Sequence, residues 1–210
     1  MKSIIVAILC FISISVFAQN EKVEFDGSKW NPPYSLDIPK GWDVERFLIP
    51  IEFAPQIPYH GVEDLRFTPG WGDSTSNEYW TYSFLWYLDG KPETSSEIIE
   101  KNLQLYYTGL IGRNIEKRKI PANKIFTPKT SFKEIKISAG DVKTFQGTIY
   151  MLDYIEQKPI TLNCVIHLKN CAASENKTFI FYEISPKPLT DGIWQQLDNL
   201  NTSFNCSKSD

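Results

Sequence analysis

Histidine is scarce in this chain, with only His60 and His167 among 210 residues. The His and Cys clusters at fixed spacing that zinc and related metals require are missing. So are the Gly-x-Ser-x-Gly elbow, a glycine loop able to cradle phosphate and a dinucleotide fingerprint. Neither a metal nor an organic cofactor is expected. Positive charge is not in excess: 22 Lys and Arg stand against 25 Asp and Glu, a net charge of −3 without long blocks of one sign. A nucleic-acid partner, which favours a basic face, is therefore not expected. Lys117-Arg118-Lys119 is a short basic run and reads as a solvated turn. Beyond Ala18 no apolar run approaches the roughly 20 residues that span a bilayer as a helix.

The long apolar run that does exist comes first. Met1-Lys2 supplies a positive start, Ile4 to Ala18 is apolar apart from two serines, and Val16-Phe17-Ala18 places small residues at −3 and −1 of a cut before Gln19. This is the anatomy of a secretory signal peptide over residues 1–18, followed by a single domain over 19–210. The expected location is the periplasm or the cell exterior. Cys10 follows Leu9 inside the apolar run, which argues against a lipid-modified cysteine.

Export exposes Cys164, Cys171 and Cys206 to an oxidising compartment, where one disulfide and one unpaired thiol are the default. The last strand climbs at about 3.3 Å per residue from Lys177, and the closing helix returns at about 1.5 Å per residue from Thr190. An antiparallel return brings Cys206 beside the loop that holds Cys171. Cys164 points inward in mid-strand. The expected bridge is Cys171–Cys206, with Cys164 a buried thiol.

Along the chain, Tyr34 to Ile38 alternates as a short strand, and Pro39-Lys40-Gly41-Trp42 turns. Pro50, Pro55 and Pro58 make Asp43 to His60 an irregular connection, with at most an edge strand around Arg46 to Ile49. Such a loop serves a site or packs over the core through Phe47, Ile51 and Phe53. Glu63 to Phe67 is a strand, Pro69 to Asp73 breaks it, and Glu78 to Leu88 is a long aromatic strand with helices expected on one side. A helix capped by Thr94 or Ser95 carries the stripe Ile99, Leu103, Tyr106 and Leu110, ending at Gly109 and Gly112. Phe132–Ser138, Val142–Ile155, Pro159–Lys169 and Lys177–Ser185 follow as an antiparallel meander. A helix from about Thr190, striped by Ile193, Leu197, Leu200 and Phe204, closes the chain. The class is α+β: an antiparallel sheet flanked by helices.

Candidate chemistry gathers between Tyr59 and Tyr79. His60 lies near Glu63 and Asp64, and a small hydrolase built from His60, Glu63 and Asp73 is one reading. Glu63 and Asp64 are strand neighbours and so face opposite sides, which keeps them from acting as a carboxylate pair. Arg66 shares a face with Asp64 and is expected to form a salt bridge. Cys164 and His167 also have opposite parity, which argues against a nucleophile–base pair. Trp71, Tyr59 and Tyr79 are the aromatics best suited to a surface, where Trp71 would stack on a sugar. A binding module is favoured over an enzyme, its ligand a small molecule, a glycan or a protein.

The Tyr-x-Leu-x-Ile-Pro-x-Gly-Trp opening at Tyr34 to Trp42, the strand–helix–strand succession and the closing helix with Trp194 resemble the Mog1/PsbP-like α/β/α sandwich. The chain is also similar to uncharacterised small secreted bacterial proteins that share the Glu-Asp-Leu-Arg-Phe…Pro-Gly-Trp and Tyr-Trp-Thr-Tyr segments. The sandwich resemblance implies partner binding rather than catalysis; fold alone does not fix function.

Overall fold

A computed structural model describes residues 25–171 and 174–206. The segment read as a signal peptide lies outside the described residues. Among the described residues, seven strands form one antiparallel sheet: β1 (Asp43–Ile49), β2 (Gly61–Phe67), β3 (Tyr82–Asp89), β4 (Lys129–Glu134), β5 (Asp141–Asp153), β6 (Lys158–Lys169) and β7 (Lys177–Ser185). Their order across the sheet is β1-β2-β3-β7-β6-β5-β4. Helix α1 (Ser96–Gly112) links β3 to the second half of the sheet, and α2 (Ile193–Ser203) follows β7.

Period-two alternation assigns the two faces. On β3 the rings of Tyr82, Phe84 and Trp86 pack with Ile99, Leu103, Tyr106 and Tyr107 of α1. Leu85 belongs to the opposite face, with Leu197 and Leu200 of α2. The helices therefore cover opposite faces, not one side as the β3 pattern alone implied. Ser95 caps α1, its side chain accepting from the Ile98 N–H at 3.3 Å. Gly109 lies inside α1 rather than at its end. A Cβ there would come 1.8 Å from the Phe53 carbonyl oxygen, so glycine lets the 50–60 connection pack directly on the helix. That connection buries Ile51, Ala54 and Ile57 in the α1-side core.

Several boundaries differ from the sequence pattern. Tyr34 to Ile38 is not a strand; Ser35 makes a single bridge to Asn205. The edge strand β1 is longer than expected and pairs with β2 along its whole length, from Asp43↔Phe67 to Ile49↔Gly61. The aromatic strand starts at Tyr82 rather than Glu78, because Trp80 adopts a left-handed backbone with φ of 54°. β4 begins at Lys129 and stops at Glu134, before the expected Ser138.

The disulfide joins Cys171 to Cys206, and Cys164 is a buried thiol. No helix among the described residues is long and apolar enough to cross a membrane.

Candidate functional site

The residues singled out between Tyr59 and Tyr79 do not gather in one place. Glu63 is fully buried under α1, where its carboxylate accepts from Trp86 Nε1 at 3.1 Å and from the Tyr106 hydroxyl at 2.7 Å. Burial pushes its pKa up to about 8, against the pull of those two hydrogen bonds. Asp64 and Arg66 are buried on the other face. The Asp64 carboxylate accepts from Arg66 Nη1, from Arg46 Nε at 2.8 Å and from the Tyr34 hydroxyl at 3.0 Å. Arg66 Nε also donates to the Asp37 carbonyl at 3.1 Å, so this network fastens the 34–37 segment onto the sheet.

His60 and Asp73 are exposed and lie beyond opposite ends of β2, a strand that spans about 20 Å at 3.3 Å per residue. Asp73 is taken up locally by the Thr75 N–H and hydroxyl at 2.9 and 2.7 Å. His60, Glu63 and Asp73 thus do not converge. Tyr59 and Tyr79, expected at the surface, are buried: the Tyr59 oxygen accepts from Asn102 Nδ2 at 2.9 Å, and the Tyr79 hydroxyl donates to Asp153 Oδ2 at 2.6 Å.

Trp71 is different, because its half-buried indole lines a cleft of about 350 Å³. The register builds the floor. Glu45 pairs with Leu65 and Phe67 with Tyr82, so β1, β2 and β3 present these side chains to one face. Tyr106 and Leu110 of α1 form one wall, and Trp71, Trp80 and Tyr154 another. Trp71 packs on Phe67 with ring centroids 4.8 Å apart, and Trp80 meets Tyr154 edge-on at 5.1 Å. The turn that carries Trp71 is held by the Trp80 N–H donating to the Trp71 carbonyl at 2.8 Å and by Gly70 N–H donating to Glu78 Oε2 at 2.9 Å.

The mouth is charged. Arg113, Lys117 and Arg118 line the cleft together with Glu45. The Arg113 guanidinium sits 5.2 Å from the Phe53 ring centre and Arg118 sits 5.0 Å from that of Tyr154. Burial pushes the Tyr154 phenol up to about 12, and the fields of Arg118 and Arg113 pull against that rise. The basic run read as a solvated turn does form a turn, but Lys117 and Arg118 also frame this cleft.

A second buried polar set lies on the α2 face. His167 Nδ1 is 2.7 Å from Asp141 Oδ2, and its Nε2 is 3.4 Å from Glu183 Oε1, in ion-pair range without hydrogen-bond geometry. Burial alone would depress the His167 pKa, but the two carboxylates outweigh it and push it up to about 9. Burial likewise opposes the Asp141 carboxylate, yet hydrogen bonds from His167 and Thr144 hold its pKa below the ordinary value. Sequence parity had placed His167 opposite Cys164; Asp141, its actual partner, comes from the neighbouring strand.

No known protein family, curated protein or solved structure matches this chain.

Proposed function

We propose that this protein is an exported binding or accessory module that holds a small ligand in the aromatic cleft under Trp71. The observation that carries the reading is the cleft itself: about 350 Å³, floored by packed rings and rimmed by charged side chains. Concave pockets of this size suit small-molecule binding, and here polar and charged groups share the lining with the rings. Export is supported by the leader-like sequence of residues 1–18 and by the Cys171–Cys206 bridge, which persists in oxidising compartments. Helices on opposite faces of an antiparallel sheet accord with the layering of a Mog1/PsbP-like sandwich.

The test is a thermal-shift screen of a metabolite library against the chain from Gln19 onward and against Leu110→Trp, which fills the cleft. Ligands of the cleft raise the midpoint of the parent and leave the filled variant unmoved. Hits that shift both proteins equally would overturn the reading.

A second reading, carbohydrate binding, is favoured by the part-exposed Trp71 indole at the cleft wall. It predicts glycan-array hits that Trp71→Ala abolishes; an empty array, or an alanine variant that binds as well as its parent, removes it.

A further inference from the structure

Within that cleft, we propose that the ligand is an amphipathic anion: an apolar, ring-bearing body seated among the aromatic walls, and a carboxylate or sulfonate held at the mouth by Arg113 and Arg118. This deepens the reading of the cleft as a ligand site and rests on it.

Charge complementarity is the first argument. Three cations line the mouth, and none of them forms an ion pair with a carboxylate among the described residues. They do so in a chain whose net charge is −3, so the excess is local. The nearby acids do not cancel it. Among the described residues, Glu45 is the one carboxylate lining the cleft. Glu63, behind Tyr106, has its pKa raised to about 8 by burial and is largely uncharged at neutral pH. Asp153 is felt at Tyr154 but does not line the cleft, and its oxygens are held by the Tyr79 hydroxyl and the N–H groups of Ile155 and Glu156 rather than by an arginine.

The supply of hydrogen bonds points the same way. A polyhydroxylated ligand needs many donors and acceptors, and most of the lining hydroxyl and amide groups are already engaged, the buried Trp80 Nε1 donor being an exception. The Tyr82 hydroxyl is bonded to that of Tyr107 at 2.6 Å, and the Tyr106 hydroxyl donates to Glu63. Asn114 donates to the Leu110 carbonyl at 2.8 Å and accepts from Arg118 Nε at 3.3 Å. What remains is ring surface with the single Trp80 Nε1 donor below, and guanidinium above. Rings suit a planar apolar body through offset and edge contacts. A planar guanidinium suits a carboxylate or sulfonate, which it binds through parallel N–H donors. Cation–ring stacking on Phe53 and Tyr154 holds the two arginines beside the opening, so less side-chain freedom is lost when an anion arrives.

The test compares two dyes of one ring system: 1-anilinonaphthalene-8-sulfonate, an anion, and N-phenyl-1-naphthylamine, its uncharged counterpart. Both are titrated by fluorescence at physiological ionic strength into the folded chain from Gln19 onward. The parent is expected to bind the anion at a single site at least tenfold more tightly than the neutral dye. Arg113→Gln with Arg118→Gln weakens the anion about tenfold and leaves the neutral dye within twofold. Leu110→Trp, or Asn114→Phe if the first variant does not fold, abolishes both. Equal affinity for the two dyes, with no response to the arginine substitutions, overturns the anion assignment while the cleft stands as an apolar site. Dye binding that survives both filled variants, or no binding by the parent, overturns the cleft reading as well.

Discussion

Tyr106 donates its hydroxyl hydrogen to Glu63 Oε1 at 2.7 Å, and this bond ties the middle of α1 to the middle of β2. Glu63 is completely buried, so the bond stands where a negative charge is poorly solvated.

The first prediction follows from that burial. A carboxyl whose pKa is raised by folding destabilises the fold once it ionises. The penalty is absent below about pH 4.5 and grows until about pH 8, the span between the ordinary and the buried values. Glu63→Gln keeps an acceptor for Tyr106 and removes the ionisation. Its stability relative to the parent should rise steadily over that window in urea unfolding curves. Parallel pH profiles for the two proteins would refute the assignment.

His167 gives a prediction in a different window. Its pKa is raised on folding, so its stabilising contribution is complete below about 6.5 and lost as pH rises through about 9. The charged groups facing it are Asp141 and Glu183, with Lys169 3.3 Å from Asp141 and Asp198 acting on Glu183 from α2. His167→Gln should be less stable than the parent at pH 6 by on the order of 3 kcal/mol. The gap should close between pH 6.5 and 9. A gap that is constant with pH would mean that the ring contributes packing alone.

Asp64→Asn leaves Arg46 and Arg66 without their carboxylate on a buried surface. Removing one partner of such a network costs about 3–5 kcal/mol. Unfolding by denaturant should show a lower midpoint with an unchanged slope. A loss below about 1 kcal/mol would show that water reaches the arginines and that the network is not a fastening.

The disulfide closes a stretch with a sequence separation of 35 residues. Chain-entropy reasoning gives about 3–4 kcal/mol for a loop of that length. Cys171→Ser with Cys206→Ser should lower the unfolding midpoint accordingly. In the chain from Gln19 onward, a thiol reagent should titrate no cysteine before unfolding and one, Cys164, afterwards. Reaction of Cys164 in the native protein would contradict its burial.

The sheet was readable wherever alternation ran unbroken, as in β6, where Ile160, Leu162, Cys164, Ile166 and Leu168 share one parity. The disulfide was readable because strand and helix have fixed rises, and Cys206 had to return beside Cys171. The start of the aromatic strand was not, because Trp80 enters a backbone region that no alternation pattern reports. The charged triplet was legible as chemistry but not as burial. Glu63, Asp64 and Arg66 look like surface residues until Tyr106, Tyr34 and Arg46 are brought to them from distant positions. The cleft was illegible for the same reason. Its lining comes from β1, β2, β3, α1 and the turn after it, the 50–60 connection, the Trp71 turn and the turn after β5, and no local window contains more than a fragment of it.

The order of the strands has a kinetic consequence. β1 to β3 and β4 to β7 are two ribbons of chain neighbours that meet along a single seam, where Tyr82 pairs with Ile184 and Asp89 with Lys177. Until β7 has been made, β3 keeps a bare edge, and β7 is bare until it finds β3. Non-local pairing of this kind is slow to form. During that interval a second copy offers the same two edges, so closure within one chain competes with exchange between chains. Dilution favours the first outcome and crowding of nascent chains the second.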